Sequence, residues 1–283
     1  ITGGVVSGDS GVIDNRGEGA KFVLNNGTIE KNKVKGAYSG TVRVSGGASF
    51  AMSGGAIQNN QVEAAAQEGC LSSPGVLLYG KSSFELTDGE ICSNTGVRGG
   101  GVLAQGTDTG KAYFEMTGGN IHDNVCRSDD PDCDAAGAVY LQDNAMFLMG
   151  GGAIDANRGG NGGGVCVSDT KDRDANAEDV TAFILDGGRI TNNHASAGGG
   201  GVYSLSNGVK LLSGEISGNS AVNGGGVYSE GSARYFSPAR YTTLYMENAV
   251  IHDNHADQGG GAWFCPTGDA QFYLTNGVAL YEN

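Results

Sequence analysis

Residues 114–124 read FEMTGGNIHDN, and the same frame recurs as FLMGGGAIDAN at 147–157 and as FILDGGRITNN at 183–193. Each copy holds a Phe, an aliphatic residue two positions later, a Gly-Gly pair and an Ile-x-x-Asn segment. Weaker copies extend over most of the chain, and the asparagines that close them are Asn32, Asn60, Asn94, Asn124, Asn157, Asn193, Asn219 and Asn254. A motif that recurs from end to end indicates an internal repeat, which has to be identified before any fold is assigned.

A second constant element follows the later asparagines. It reads GGGV at 99–102, 162–165, 199–202 and 224–227, and GGGA at 259–262. Apolar and polar residues alternate over short runs, which is the pattern of half-buried strands, and no helical spacing of apolar residues is sustained. Short strands with glycines at fixed corners predict an all-β fold, a parallel β-helix (β-solenoid) of about nine to ten coils.

The constant residues have structural interpretations in this architecture. The inward Phe, Leu, Met, Ile and Val side chains would stack on their equivalents one coil away, at ~4.8 Å, and so belong to the core. The glycines would occupy corners that need a positive φ or a close backbone approach. The asparagines are predicted to form an internal ladder whose amides satisfy backbone groups of the turns. Phosphate binding by the glycines would need a following helix, which the pattern does not supply.

Composition restricts the possible partners. The chain has 52 glycines in 283 residues. Its net charge of −14 argues against nucleic acid as a partner, since phosphate neutralisation needs clustered Lys and Arg. No apolar run approaches the ~18 residues of a membrane span, so no membrane insertion is expected. The chain begins at Ile1 rather than Met, which predicts a processed product or an excised piece. From the repeats we expect residues 1–283 to be a single parallel β-helix domain, a segment of a longer surface protein.

The unit ISGNSAVNGGGVY (216–228), present again as ITNNHASAGGGGVY (190–203), resembles the repeats of right-handed parallel β-helix surface proteins. These include the polymorphic outer-membrane protein-like adhesins and similar repeat proteins on gut bacteria. The resemblance covers nearly the whole chain. It implies a right-handed β-helix, a secreted or cell-surface location, and an adhesive role toward a carbohydrate or a host surface protein.

The position directly after the inward Val is predicted to face outward. Successive repeats place Leu103, Tyr140, Cys166, Tyr203, Tyr228 and Trp263 there. Aromatic rings in a row suit saccharide binding, so the ligand-binding candidates are Tyr140, Tyr203, Tyr228 and Trp263. Cross-strand pairing without a ligand is the alternative. The loop 229–243 adds the candidates Arg234, Tyr235, Arg240 and Tyr241, for which packing against the rod is the alternative.

Carboxylates offer a route to catalysis. Glu85 and Glu115 are predicted to share one outward position in adjacent coils, and Asp123 and Asp155 lie one register apart near His122. Paired carboxylates serve as acid, base or nucleophile in glycosidases. These four carboxylates are therefore the catalytic candidates if the protein is a polysaccharide lyase or glycoside hydrolase.

Two loops carry alternating acids, Asp130, Asp132, Asp134 in one and Asp172, Asp174, Asn176 in the other. This spacing matches the first ligands of a calcium loop, although Ala135 and Ala177 replace the expected Gly. Calcium is the one cofactor that the sequence suggests, and a solvated acidic loop is the alternative. Cys126 and Cys133 flank the first loop and are predicted to form a local disulfide, which would fit an oxidising exterior.

The four histidines, His122, His194, His252 and His255, show no zinc-ligand spacing with the cysteines and are predicted to be surface residues. The favoured hypothesis is a non-enzymatic, secreted or cell-surface adhesin or glycan-binding stalk. A polysaccharide-active enzyme is the second hypothesis and a structural spacer the third. A groove lined by acids and an Arg or Lys would favour the enzyme, and a flat aromatic face would favour binding.

Overall fold

The structure, a computed structural model, describes residues 1–6, 8–63, 71–127, 135–168, 182–205, 208–230, 242–265 and 270–283. All the regular elements in these ranges are β-strands. The described residues contain no helix long and apolar enough to cross a lipid bilayer.

The strands follow one another as the coils of a parallel β-helix. The first three coils contain β1 (Val5–Val6), β2 (Gly11–Arg16), β3 (Lys21–Leu24), β4 (Thr28–Glu30), β5 (Lys33–Val34), β6 (Gly40–Ser45), β7 (Ala48–Gln58), β8 (Gln61–Val62), β9 (Ser73–Tyr79) and β10 (Ser82–Cys92). The next three contain β11 (Thr95–Gly96), β12 (Val102–Gln105), β13 (Ala112–Met116), β14 (Asn120–His122), β15 (Val125–Cys126), β16 (Val139–Gln142), β17 (Ala145–Met149), β18 (Ala153–Asp155), β19 (Arg158–Gly159), β20 (Val165–Ser168) and β21 (Phe183–Thr191). The remaining strands are β22 (His194–Ala195), β23 (Val202–Ser204), β24 (Val209–Ser217), β25 (Ser220–Asn223), β26 (Val227–Glu230), β27 (Thr242–Met246), β28 (Val250–His252), β29 (His255–Gln258), β30 (Ala262–Cys265), β31 (Ala270–Leu274) and β32 (Ala279–Tyr281).

Three parallel sheets run along the solenoid. Over the described residues, sheet 1 has the order β1-β5-β8-β11-β15-β19-β22-β25-β29, and sheet 2 has the order β2-β6-β9-β12-β16-β20-β23-β26-β30. Sheet 3 contains the other fourteen strands and has two arms. We call the part with the Phe-x-Leu pattern the Phe arm and the part with the Ile-x-x-Asn pattern the Ile arm. The predicted all-β parallel β-helix is therefore confirmed.

Aromatic rings stack through the core of the Phe arm. Neighbouring rings lie with centroids 4.4 to 5.2 Å apart in the column Phe22, Phe50, Phe84, Phe114, Phe147 and Phe183. The five rings from Phe50 onward are almost fully buried. Stacked rings of this kind add to the free energy gained from burial alone. The recurring Phe is thus a core residue, as its position in the repeat predicts.

A buried asparagine ladder runs through the Ile arm turns. In a typical step, Asn157 Oδ1 accepts hydrogen bonds from the backbone N and the Nδ2 of Asn124, both at 3.0 Å. Asn157 Nδ2 in turn donates to Asn193 Oδ1 and to the Ile121 carbonyl oxygen, each at 2.9 Å. The same pattern joins each ladder asparagine to the next from Asn32 to Asn254 and ends on Asn283. The predicted ladder is confirmed.

The residue before each ladder asparagine adopts a left-handed conformation. Its φ is 65° at Gly218, and it is also positive, at 53° to 55°, at Lys31, Asp123 and Ala156, which are not glycines. Such a conformation costs about 1 to 2 kcal/mol for a residue with a Cβ. The ladder hydrogen bonds on the next residue hold the chain in this turn and offset that cost.

The glycine corners are needed because backbones approach closely there. A Cβ on Gly164, in the GGGV corner at 162–165, would lie 2.6 Å from the Gly201 carbonyl oxygen and 2.9 Å from a methyl carbon of Ile190. Neither neighbour can move without disturbing the coil above. The glycines of this corner are therefore structural, as predicted.

We predict that Asn157→Ala lowers the free energy of unfolding by about 3 kcal/mol, because it removes the acceptor of two buried N–H donors of Asn124 and one donor to the Ile121 carbonyl oxygen. The urea midpoint at constant m value measures this loss. Asn120→Ala is the matched control: Asn120 is exposed on β14, so its loss should change stability by no more than about 0.5 kcal/mol. Equal effects of the two substitutions would contradict the proposed role of the ladder.

Candidate functional site

The predicted aromatic row exists, but it is covered. Tyr203 pairs in register with Tyr228, and Tyr228 with Trp263, and their ring centroids lie 4.8 and 4.6 Å apart. Tyr140, Tyr203 and Tyr228 are only 1%, 5% and 8% exposed, and Trp263 packs half-buried against them. The outward face of sheet 2 is therefore a second apolar core rather than the exposed platform that the sequence suggests.

The polar atoms of this row also find partners inside the protein. The hydroxyls of Tyr203 and Tyr228 donate to the buried Glu230 carboxylate at 3.3 and 3.2 Å. In this arrangement neither the ring faces nor the hydroxyls of these tyrosines face solvent. Saccharide binding by Tyr140, Tyr203, Tyr228 and Trp263 stays a prediction, and their burial directs attention to other surfaces.

Several predicted residues lie outside the described residues. They are the loop candidates Arg234, Tyr235, Arg240 and Tyr241, the calcium candidates Asp130, Asp132, Asp134, Asp172, Asp174 and Asn176, and Cys133. Cys126 is buried, and its Sγ lies 2.6 Å from the Val97 carbonyl oxygen. The disulfide and the calcium sites stay predictions.

The structure separates the four catalytic candidates. Glu85 and Glu115 are register partners on the Phe arm, as predicted, and Glu115 accepts a hydrogen bond from Tyr113 at 3.3 Å. Asp155 lies on the Ile arm as the register partner of His122, so Asp123 lies one residue further along, as predicted. Asp123 sits in the following turn and contacts the His122 Nδ1 at 2.8 Å. Of these four, Asp155 lies in a concave site.

That concave site is a groove of ≈ 580 Å³ on the outer face of the Ile arm. Eight of its nine lining residues are of polar type; the lining comprises Asn120, His122, Ala153, Asp155, Arg189, Thr191, Asn192, Glu215 and Ser217. These residues come from four successive coils, which corresponds to a length of about 14 Å at the usual strand spacing. We call this surface the Ile-arm groove.

Small residues give the groove its depth. Ala153 stands between Asn120 and Arg189 in the register, so one coil contributes no long side chain. The adjoining corner between the two arms is a second depression of ≈ 530 Å³ that includes Gly152 and Gly188. A Cβ on Gly152 would lie 2.6 Å from the Gly119 carbonyl oxygen, so this corner stays without a side chain.

The carboxylates in the groove are each held on one side. Asp155 Oδ1 accepts hydrogen bonds from Thr191 at 2.6 Å and Asn192 at 2.9 Å. Glu215 Oε1 accepts from Ser217 at 2.6 Å. Among the described residues, no side chain donates to the second oxygen of either carboxylate, so these two oxygens are oriented and open to a ligand.

Arg189 is the groove residue with the most unused hydrogen-bonding capacity. It is exposed on β21, with Ala153 and Glu215 as its register neighbours. Within the described ranges no carboxylate lies close enough to form an ion pair with it, since Glu215 turns toward Ser217 and His252. Its planar guanidinium has five N–H donors in a fixed fork. The groove thus presents a row of open acceptors next to a set of open donors.

A histidine network continues from the groove onto the next coil. His252 Nε2 lies 3.2 Å from Glu215 Oε1, and its Nδ1 lies 2.7 Å from Asp253 Oδ2. The hydrogen bond to Asp253, with help from the negative charges of Asp253 and Glu215, raises the pKa of His252 above its ordinary value of 6.5. The ring also stacks on Tyr281 at 4.9 Å. This network joins residues that the sequence analysis treated as unrelated.

The same arrangement occurs four coils earlier with one substitution. Glu90, Cys92, His122 and Asp123 take the places of Glu215, Ser217, His252 and Asp253, with Cys92 paired to His122 as Ser217 is to His252. Burial, followed by the charges of Glu90 and Asp123, raises the pKa of the Cys92 thiol to about 11. This thiol is protonated at neutral pH and is a poor nucleophile.

The repeats contain a signal for both networks. GEICSN (89–94) precedes NIHDN (120–124), and GEISGN (214–219) precedes VIHDN (250–254). Because the Ile of each segment points inward, the residues on either side of it face outward and meet those of the next coil.

Comparison of the chain with known proteins finds no matching family model, no similar curated protein and no similar solved structure.

We predict that Asp253→Asn lowers the pKa of His252, because the substitution removes the largest contribution to its elevation. NMR titration of the His252 ring protons measures the change. Because the pKa is higher in the folded than in the unfolded protein, the network stabilises the fold fully below 6.5, and this stabilisation is lost as the pH rises through the raised value. Asp257→Asn, on the neighbouring strand β29, is the control and should leave the titration unchanged; an identical shift would contradict the assignment.

Proposed function

We propose that this protein is a secreted or cell-surface β-helix that binds a saccharide in the Ile-arm groove without cleaving it. The observation that carries the proposal is the exposed Arg189 guanidinium, which has no ion-pair partner among the described residues. It lies in a groove with Asp155 and Glu215, each of which has one carboxylate oxygen to which no described side chain donates. This proposal keeps the adhesin or glycan-binding function expected from the sequence and moves the binding surface from the aromatic row to sheet 3.

The chemistry of the groove suits a ligand rich in hydroxyl groups. A hydroxyl donates one hydrogen bond and accepts up to two, so neighbouring hydroxyls can donate to Asp155 Oδ2 or Glu215 Oε2 and accept from Arg189. The side chains of Asp155 and Glu215 are already held by Thr191, Asn192 and Ser217. Pre-organised groups of this kind reduce the entropy lost on binding.

Charge favours a neutral saccharide over a polyanion. The chain carries a net charge of −14, and Asp88, Asp155 and Glu215 line the groove and its adjoining corner. An acidic polysaccharide would meet this repulsion along its whole length, with one arginine to offset it. A host surface protein, the other partner suggested by the sequence, would need a broad contact area of about 800 Å² on each partner, which a narrow groove suits less well than an extended saccharide.

A polysaccharide-active enzyme is the second candidate, favoured by the presence of Asp155, Glu215 and Arg189 in one groove. A retaining glycosidase needs two carboxyl groups about 5 to 5.5 Å apart. Asp155 and Glu215 lie two strands apart, which is about 10 Å at the usual spacing, and are offset along the strand as well. An enzyme in this groove would therefore have to use an inverting or lyase mechanism.

We predict that Arg189→Ala weakens saccharide binding about tenfold or more, because a hydrogen bond from a charged donor contributes about 1.5 to 3 kcal/mol. The measurement is a glycan array, followed by calorimetry with the best neutral oligosaccharide. Arg158→Ala is the matched control, since it removes the same charge from the exposed start of β19 on sheet 1.

Four outcomes separate the hypotheses. Binding of a neutral oligosaccharide that depends on Arg189 and leaves the ligand intact on chromatography supports the proposal. Shortened products that disappear in Asp155→Asn overturn it in favour of the enzyme. Equal weakening by Arg189→Ala and Arg158→Ala, or no binding to any glycan, also overturns it, and the second result favours a spacer.

A further inference from the structure

We propose that Glu90, Cys92 and His122 form a binding site for a zinc ion on the outer face of the Ile arm. One potential ligand atom from each residue lies within 4.8 Å of the other two. The three residues come from two adjacent strands, β10 and β14, in which Cys92 and His122 are register partners. This inference does not depend on the proposed saccharide binding.

The geometry needs little adjustment to hold the ion. Zinc bonds of about 2.0 to 2.3 Å in a tetrahedron place ligand atoms about 3.3 to 3.8 Å apart. Because the ligand atoms lie within 4.8 Å of one another, no pair has to approach by more than about 1.5 Å, and the exposed Glu90 side chain can supply such a movement by rotating. Cys92 and His122 are register partners on adjacent parallel strands, which holds their side chains side by side. The fourth position faces outward and is open to water.

Asp123 orients the histidine as zinc sites require. Its Oδ2 lies 2.8 Å from His122 Nδ1, which leaves Nε2 as the nitrogen available to a metal. A carboxylate on the second ring nitrogen is the usual outer partner of a zinc-binding histidine. The left-handed turn at Asp123, with a φ of 53°, places this carboxylate beside the ring.

The donor set selects the class of metal. Thiolate and imidazole are ligands for zinc and other transition metals, whereas calcium and magnesium prefer oxygen ligands alone. Zinc matches one sulfur, one nitrogen and one carboxylate oxygen, with a fourth position for water. The predicted calcium loops therefore involve different residues and a different class of metal from this site.

The chain contains a natural comparison for the site. Glu215, Ser217, His252 and Asp253 repeat its arrangement, and His252 Nε2 reaches Glu215 Oε1 at 3.2 Å while Nδ1 contacts Asp253. A serine hydroxyl binds zinc far more weakly than a thiolate, so the second site should not retain the ion. Among these four pairs of equivalent residues, the cysteine that the proposal needs is therefore the one chemical difference.

The test uses the full chain in reduced, metal-free form. Titration with Co²⁺ should give thiolate-to-metal charge-transfer absorption, and calorimetry with Zn²⁺ should show binding at the same site. Cys92→Ser, which reproduces the composition found at Ser217, should remove one equivalent of tightly bound metal with its charge-transfer intensity. Asp123→Asn should weaken zinc binding about tenfold to a hundredfold. Ser217→Cys should add one equivalent.

Circular dichroism confirms that each variant is folded. His122→Gln provides a second way to remove a ligand if Cys92→Ser does not fold. Loss of one zinc equivalent in either variant, with the cobalt absorption lost in parallel, supports the site. Unchanged zinc affinity and cobalt absorption in both variants would overturn it. Neither readout involves a saccharide, so this result and the test of the Ile-arm groove are independent.

Discussion

The hydrogen bond from one buried asparagine to the next fixes the register of the whole solenoid. Each Oδ1 accepts both the backbone N–H and the side-chain N–H of the asparagine one coil earlier, so a slip of one residue would leave several buried polar groups without partners. The ladder also holds the left-handed residue before it, including Asp123 and Asp253. These two aspartates are the ones that contact His122 and His252. The chemistry on the outer surface therefore depends on an interaction inside the turn.

Repetition explains how distant residues become a site. Because every Ile of the Ile arm points inward at the same level, the residue before it and the residue after it form two outward columns along the rod. The first column places Asn120, Ala153, Arg189 and Glu215 side by side, and the second places His122, Asp155, Thr191 and Ser217. A small residue in one coil then makes a depression between its neighbours. The fold supplies the spacing, and variation between coils supplies the groove.

The repeated frame was enough to predict the parallel β-helix, the stacked Phe column, the glycine corners and the asparagine ladder, because each depends on residues that recur from coil to coil. Alternation also predicted correctly that Glu85 and Glu115 are register partners and that Tyr203, Tyr228 and Trp263 form a row. It could not show that the row is buried, because burial of an outward face depends on packing beyond the repeated strands. The sequence did not predict the Ile-arm groove for a related reason. Arg189, Glu215 and His252 differ in type from their neighbours, and their proximity becomes evident only when the outward columns are aligned coil by coil.

The two histidine networks show why function in such a protein is found where coils differ. Glu, His and Asp occupy equivalent positions in both networks. The fold therefore gives these residues the same geometry in both sites, and a difference in chemistry has to come from the residue that is not shared. With Ser217 the second network closes on itself, since the hydroxyl donates to Glu215 and the carboxylate meets His252. With Cys92 the first network holds a thiol whose pKa is raised to about 11 by burial and by nearby negative charge. A divalent cation would reverse that effect, because its charge favours the thiolate that the carboxylates disfavour. A single change from oxygen to sulfur therefore gives one coil a chemistry that its structural twin lacks.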